Sequence, residues 1–528
     1  MAEVAFPRSH RLPATDVVDV VVLGGGPAGS AAARILAHQG HSVVVLPGSP
    51  PPRRVPAESL PPSIRKPLQA LGLLSPVEAA QFLPCQGNVV AWATPRAELR
   101  EFPAGETGWQ VDRERWDALL LQGARSAGAR IPPGARAVEV ESGAGGGERW
   151  RIRWEGPGGD SGELRTPWVL DATGRTGILA RRGFRRSHDG PASTALLTVW
   201  HRPGGWPEDA GGHTVVESYR EGWGWSVPLP GDRRLVGCVV ERRPRRRRGS
   251  GNPLPELFRD EVERTLHLRR IVEGALPASA PSACPTTPYD AVRYTDQGLL
   301  LVGDAGSFLD PLSSFGVKKA LASGWLAGVV VHTALRTPAM EDHALALFDQ
   351  RERAAHAGHR SGALLQYGEG AAAHHHPFWS RRAKRGEGAP VGPPAPGAPV
   401  GGDEPPADAS WLATDPRVHR AFAELRNARE GRLRPAPGLR RVPRPTVRGE
   451  EVVLEDHVAS PALPGGIRYF RAVDLSHLVQ LAAHHPEVPS LYEAYQGRTN
   501  HDPVPLPDFL GALSTLLGLG MLEHCAST

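Results

Sequence analysis

Asp19-Val20-Val21-Val22-Leu23-Gly24-Gly25-Gly26-Pro27-Ala28-Gly29-Ser30 is the stretch on which the fold turns. Asp19–Leu23 is a short β-branched run, the pattern of a buried parallel strand. Ser30–Gln39 reads as a helix that stops at Gly40, and His41–Leu46 as a second strand. Strand, glycine turn, helix and strand in this order make a βαβ unit. Gly24 permits the tight turn, Gly26 lets backbone approach a pyrophosphate, and Gly29 lets helix and strand pack closely. The helix N-terminus adds free N–H groups and the positive end of a dipole. With both flanking strands present, Gly24, Gly26, Pro27, Ala28 and Gly29 read as a nucleotide-binding turn. One piece is missing. A carboxylate about 20 residues on normally takes the ribose hydroxyls, but the second strand ends Val44-Val45-Leu46-Pro47. Ser49 or the Arg53–Arg54 pair is left to hold the ribose, with Arg54 the expected contact. A plain NAD dehydrogenase is disfavoured.

Two more apolar strands end in glycine turns further along. Val169-Leu170-Asp171-Ala172-Thr173-Gly174-Arg175 ends in an ATG-type turn, and Gly298-Leu299-Leu300-Leu301-Val302-Gly303-Asp304-Ala305 in Gly-Asp. Asp310-Pro311-Leu312-Ser313-Ser314-Phe315-Gly316 follows, then a helix from about Val317. In their order and spacing these segments resemble the FAD-binding core of the flavoprotein monooxygenase and flavin-dependent halogenase superfamily, which includes the geranylgeranyl reductases. The resemblance covers residues 17 to about 383. It implies a doubly wound, Rossmann-like α/β domain binding FAD, with an antiparallel substrate-domain sheet. It also implies that Gly303, Asp304, Ser314 and Gly316 lie at the cofactor, Asp304 on the ribityl chain. The helix after Gly316 would point at the flavin pyrimidine, where its N-terminus stabilises the negative charge of a reduced flavin. Gln110–Asp117 looks like the family's VxRxxFD segment, so Arg113 is the expected cofactor contact; a surface Arg at a helix start is the plainer alternative. Glu58-Ser59-Leu60-Pro61-Pro62-Ser63 resembles the GESLxPS loop, with Ala57 replacing its Gly. Trp223-Gly224-Trp225-Ser226-Val227-Pro228 resembles the WxWxIP motif, its tryptophans either sheet packing or an aromatic substrate wall.

A lysine separates the family's chemistries. Halogenases relay hypohalous acid through it, and in phenol and pyrrole halogenases it sits in a Phe-x-x-Lys-x-Gly-Ala segment. Here the matching stretch is Phe82-Leu83-Pro84-Cys85-Gln86-Gly87-Asn88, with Cys85 in the lysine's place. Lysine occurs only as Lys66, Lys318, Lys319 and Lys384; Lys66 lies elsewhere in the sequence and Lys384 borders a linker. Halogenation is therefore disfavoured. Lys318 and Lys319 occupy the first turn of a helix, where a cation opposes the dipole. Either one faces flavin or substrate, with Lys318 the catalytic candidate, or both are solvated. His374-His375-His376 point different ways on a helix, so no metal is expected.

Beyond the core, 61 Gly and 53 Pro among 528 residues mark a globular chain rich in loops or linkers. The net charge of +5 is mild, and the run Arg242–Arg248 reads as a solvated hairpin loop, so no nucleic acid is expected. Four cysteines without CxxC spacing argue against zinc, iron–sulfur or disulfide frameworks and for the cytoplasm. No stretch approaches the length of a membrane span. Gly386–Ala409, with seven Pro and six Gly, reads as an extended linker. The expected layout is residues 1–383 for the FAD and substrate domains, 384–410 for the linker and 411–528 for a small domain. In that last part Val473–His484, Val488–Gln496 and Leu506–Leu522 read as helices, with a strand pair at Glu451–Glu455 and Ile467–Arg471. It weakly resembles a winged-helix module. Leu506–Leu522 has no Arg or Lys, which favours protein or peptide docking over DNA; a role in packing alone is the alternative.

The functional expectation is an FAD-dependent monooxygenase hydroxylating an aromatic small molecule or a protein or peptide substrate, reduced by NAD(P)H or a partner flavin reductase. Lysine-less members with a GESLPP-like loop and an extra C-terminal region look similar to flavoproteins that hydroxylate a peptidyl tryptophan during quinone-cofactor maturation. The rivals are a halogenase with an atypical relay, an isoprenoid-type flavin reductase and a non-catalytic flavoprotein scaffold.

Overall fold

A computed structural model describes residues 13, 15–48, 56–143, 148–187, 191–206, 212–241, 254–383, 415–427, 432–497 and 503–525. Arg54, with Ser49, Arg53, Arg242–Arg248, Lys384 and the 384–410 linker, lies outside the described residues. The chain forms two compact units, Met1–Pro394 and Ala395–Thr528.

The four apolar strands read from the sequence lie side by side in the first unit. Their order is Leu299–Leu301, Trp168–Asp171, Val20–Leu23, Val43–Leu46, all parallel, with the short antiparallel strand Thr295–Asp296 at one edge. Every residue of these four strands is buried, which is why each reads as continuous apolar sequence without alternation. The three chemistry-bearing turns leave the carboxyl ends of three adjacent strands. That is where α/β sheets place ligands.

Helix Pro27–His38 packs on helix Gly316–Arg336 at small residues. A Cβ on Gly324 would lie 2.2 Å from the Ala28 carbonyl oxygen, and one on Gly328 would lie 2.8 Å from Ile35 Cβ. The first turn of Pro27–His38 thereby rests against the middle of Gly316–Arg336. The polar helix expected at Asp342–His359 runs from Glu341 to His374. Its buried residues Ala344, Phe348, Glu352, His356, Ala363, Tyr367 and Gly370 recur at intervals of three, four or seven positions, one face of a helix.

The second layer is an eight-stranded sheet whose central run is Thr194–His201, Arg233–Val240, Gly222–Leu229, Thr214–Tyr219. These strands pair antiparallel, whereas Thr214–Tyr219 meets Gly87–Ala91 in parallel. A cluster including Leu197, Trp223, Val227, Leu235, Tyr367, Phe378 and Trp379 joins this sheet to the long helix.

The second unit has its own core, which includes Leu433, Val458, Leu478, Leu491, Phe509, Leu513 and Leu516. Its helices are Pro416–Asn427, Leu475–Ala482, Val488–Gln496 and Leu506–Gly518. The first was not expected. The last is shorter than read: Leu519–Met521 leave the helix and Leu522–Cys525 pairs as a strand with Arg432–Pro435. The apolar run could not show that switch, because both states bury it. Of the expected strand pair, Glu451–Glu455 is a strand but pairs with Arg444–Arg448 in a three-stranded sheet, Arg440–Arg448, Glu451–Ser460, Leu463–Ile467. Only Ile467 of the second segment joins that sheet, and Tyr469–Phe470 pairs with Val473–Asp474. Arg440–Arg448 hid behind Pro443 and Pro445. Two prolines two apart remove donors on one side of a strand only, which an edge strand can spare.

Candidate functional site

Gly24 adopts φ +103° at the end of its strand, and a Cβ there would lie 2.4 Å from the Ala172 carbonyl oxygen. A Cβ on Gly29 would lie 2.0 Å from the Gly24 carbonyl oxygen. Gly26 differs: a Cβ there meets nothing within 4 Å. It forms the N-cap of helix Pro27–His38 without a side-chain cap, so the first N–H groups stay open. Pro47 packs within 3.0 Å of where a Gly25 Cβ would stand, closing the place of the missing carboxylate.

Arg113 opens helix Arg113–Ser126, capped by Asp112, whose carboxylate accepts from the Glu114 and Arg115 N–H groups. Its guanidinium meets Asp117, one turn on, through Nε and Nη2 at 3.2 Å each, and Glu58 through Nη1 at 3.5 Å. The side chains of Arg113 and Glu58 keep 18% and 25% exposure. Burial pushes the Glu58 carboxyl up, and Arg113 opposes it. A surface arginine is thus excluded; the VxRxxFD and GESLxPS segments meet.

Asp304 acts electrostatically on the same pair. Burial raises its carboxyl above the ordinary value, while Lys319, Arg175, Arg113 and Arg185 pull it back. Its backbone carbonyl accepts from Tyr289 Oη at 2.7 Å, and its carboxylate makes no hydrogen bond among the described residues. Gly303 has φ +63°. Ser314, at φ 53° and exposed, ends the Pro311–Ser313 turn. Gly316 starts its helix with open space where a Cβ would stand and no side-chain cap before it. These features fit an FAD. Gly26 and Gly316 are backbone cradles at two helix N-termini, and the Asp304 carboxylate waits for a donor such as a ribityl hydroxyl.

The two helical lysines part company. Lys319 is buried beneath the Gly303–Ala305 turn. Lys318 is half-buried, its ammonium 5.3 Å from the Phe315 ring centroid, and burial and Lys66 both lower its pKa. Lys66 therefore does not lie elsewhere in space: helix Arg65–Ala70 brings it beside Lys318. Distance along the chain hid this.

Cys85 is buried, with Sγ 3.6 Å from Ser59 Oγ and 3.6 Å from the Gly87 carbonyl oxygen. Burial raises its pKa, so it is a packed thiol with little thiolate character. Trp223 and Trp379 are buried, while Trp92 and Trp225 are half-buried. Trp92 lies 5.4 Å from Trp379 and Trp225 lies 5.3 Å from Trp223, centroid to centroid. Trp223 and Trp379 are core; Trp92 and Trp225 each keep an accessible aromatic edge. His374 stacks on Trp379 and shares a 2.8 Å hydrogen bond with Ser218 Oγ. Asp310, which accepts from Tyr367 Oη at 2.8 Å, was missed as a partner of the long helix. Asp117 could have been found from its i+4 spacing to Arg113; Tyr289, Glu352 and Tyr367 carry no local signal.

The family model described as FAD binding domain matches residues 17–355. The chain belongs to this FAD-binding family, and FAD is its cofactor. It is 27% identical over 368 residues to the flavin-dependent halogenase armH3 of Armillaria mellea, covering 64% of this chain and 72% of that protein. It is 30% identical over 321 residues to the tryptophan 2-halogenase of Chondromyces crocatus, covering 59% of this chain and 60% of that protein. Among solved structures it resembles the flavin-dependent halogenase CmlS, with TM-score 0.71, 21% identity and 96% of each chain covered. It also resembles QhpG, a peptidyl tryptophan dihydroxylase essential for tryptophylquinone cofactor biogenesis. There the TM-score is 0.64 and the identity 23%, covering 95% of this chain and 99% of that one. The fold is that of the FAD-dependent halogenases and monooxygenases, and the protein is an FAD-dependent oxidoreductase of that group. No described helix is long and apolar enough to cross a membrane.

Proposed function

We propose that this protein is an FAD-dependent monooxygenase that hydroxylates an aromatic ring, with a tryptophan side chain in a peptide or protein as the favoured substrate. The observation that carries the reading is Cys85, a buried thiol where related halogenases hold the relay lysine. Reduced FAD, when bound, supplies the two electrons with which O2 yields one oxygen atom to the ring and one to water. The chain's own part is binding and positioning. Gly24–Gly29 takes the pyrophosphate on a helix N-terminus, and Arg113, fixed by Asp117 and Glu58, presents its remaining edge to the cofactor. Asp304 holds the ribityl chain. Ser314 and Gly316 set the second helix N-terminus against the pyrimidine end. Trp225 and Trp92 line the aromatic side, and Lys318 is the group able to hold or release a proton at Nζ. The donor of electrons is NAD(P)H or a partner reductase. The second unit docks the polypeptide that carries the ring.

The test is substrate-dependent O2 uptake with a reductase, NADH and tryptophan-containing peptides, followed by mass spectrometry. A gain of one or two oxygen atoms on the peptide is expected. Bromide in the same assay should leave phenols, pyrroles and indoles unbrominated. One observation favours a second reading, a halogenase with a different relay: Lys66 and Lys318 converge. Bromination that disappears in Lys318→Ala would establish that alternative.

A further inference from the structure

A buried ammonium needs a reason, because desolvating a charge is costly unless it is paired or hydrogen-bonded. Lys319 is 5% exposed and sits in the first turn of its helix, the end whose dipole disfavours cations. Its Nζ donates to the Gly303 carbonyl oxygen at 2.9 Å and to the Ser307 carbonyl oxygen. From the same helix face, four residues on, Ser323 Oγ accepts the Gly303 N–H at 2.8 Å. One helix therefore grips Gly303 through both its N–H and its carbonyl. Ala28 stands on the far side, 2.8 Å from where a Gly303 Cβ would be. Two carboxylates balance the lysine electrostatically: half-buried Asp304 on the turn and buried Glu352 on the long helix, the latter also hydrogen-bonded to Ser323.

We propose that Lys319 is a positioning residue for the cofactor: with Ser323 it clamps Gly303 through the peptides on either side so that the Asp304 carboxylate is presented to the flavin. The proposal rests on the reading of Asp304 as a cofactor contact. A purely structural lysine would serve only to neutralise Glu352. The two roles separate in a double variant. Lys319→Met should weaken FAD binding at least tenfold, read by recovery of flavin fluorescence on titration, and alter the visible absorption band of the flavin that remains bound. It should also lower Tm, since Glu352 loses its counter-charge. Adding Glu352→Gln should restore Tm while leaving the affinity loss in place. Ser323→Ala, which changes no charge, should weaken FAD binding severalfold, and it keeps the test open if Lys319→Met does not fold. An FAD affinity within threefold of wild type in Lys319→Met, an affinity that returns together with Tm in the double variant, or no change in Ser323→Ala overturns the positioning role. Gly26→Val distinguishes this from failure of the site itself. If that variant keeps its FAD, the site reading is wrong; if it loses FAD while Lys319→Met does not, only the clamp is wrong.

Discussion

Gly26 and Gly29 stand three residues apart and would receive a side chain very differently. At Gly26 a valine projects into open space on the helix N-terminus, so the fold should survive while the pyrophosphate is shut out. The expected outcome is apoprotein with a Tm close to wild type, read by absorbance at 450 nm and thermal melting. At Gly29 even a methyl meets the Gly24 carbonyl 2.0 Å away. Gly29→Ala should cost about 2 kcal/mol or more of stability, the scale of overpacking a tight core, measured by denaturant unfolding. Arg113 is a third case. Removing its guanidinium strands Glu58 and Asp117, and breaking such an enclosed pair costs about 3 kcal/mol. Arg113→Lys should not rescue FAD binding, because one ammonium cannot reproduce the fork that meets Asp117 through two nitrogens. Titrating the purified variant with FAD checks this.

Helix Glu341–His374 shows how an element carries information no single residue does. Its inward face sets Glu352, His356, His359 and Tyr367 on one side of 34 residues. His359 packs at a tilt against Phe315, ring centroids 5.0 Å apart, and feels both Lys319 and Lys318. Burial first, then those two charges, hold its pKa down to about 4 against an ordinary 6.5. The unfolded chain therefore binds the proton before the folded one does. Stability present above pH 6.5 is lost as pH falls toward 4. His359→Leu should flatten that part of a Tm-against-pH profile; an unchanged slope would show that other groups dominate. The crossing of helices Pro27–His38 and Gly316–Arg336 is a second element-scale case. Gly324→Leu must force them apart, displacing the start of helix Pro27–His38 where Ala28 packs on Gly324. It should lower Tm by several degrees and reduce FAD occupancy, whereas an equally large substitution at half-buried Gly358, where a Cβ meets nothing within 4 Å, should do neither beyond helix propensity.

At the scale of the whole molecule, each of the two units has its own buried core, so neither needs the other's side chains to bury its apolar surface. Deleting residues 411–528 should leave FAD bound one per chain and leave its Tm little changed. Turnover of a peptide substrate should fall at least tenfold, because a tethered docking module raises the local concentration of its ligand. Oxidation of NADH without substrate should persist. A truncated chain that loses its flavin would make the second unit part of the cofactor site and end the docking hypothesis.

The parallel sheet, its order of turns and the cofactor were legible in the sequence, because each rests on local pattern. Continuous apolar runs mark strands buried on both faces, and Gly29 needs to be glycine for a contact with Gly24, five residues back. Cys85 was legible too, by its place in a short motif. What tertiary structure alone decided are the encounters between distant residues. The charge of Lys66 is felt by Lys318 across some 250 positions, Tyr367 reaches Asp310, and Glu352 balances Lys319. None leaves a local trace, since the residues share neither an element nor a spacing. The proline-bearing strand Arg440–Arg448 and the helix-to-strand switch after Gly518 were hidden for a related reason. An edge strand may lack donors on its open side, and an apolar run is buried equally well in either conformation. Propensity therefore could not choose; the partner strand did.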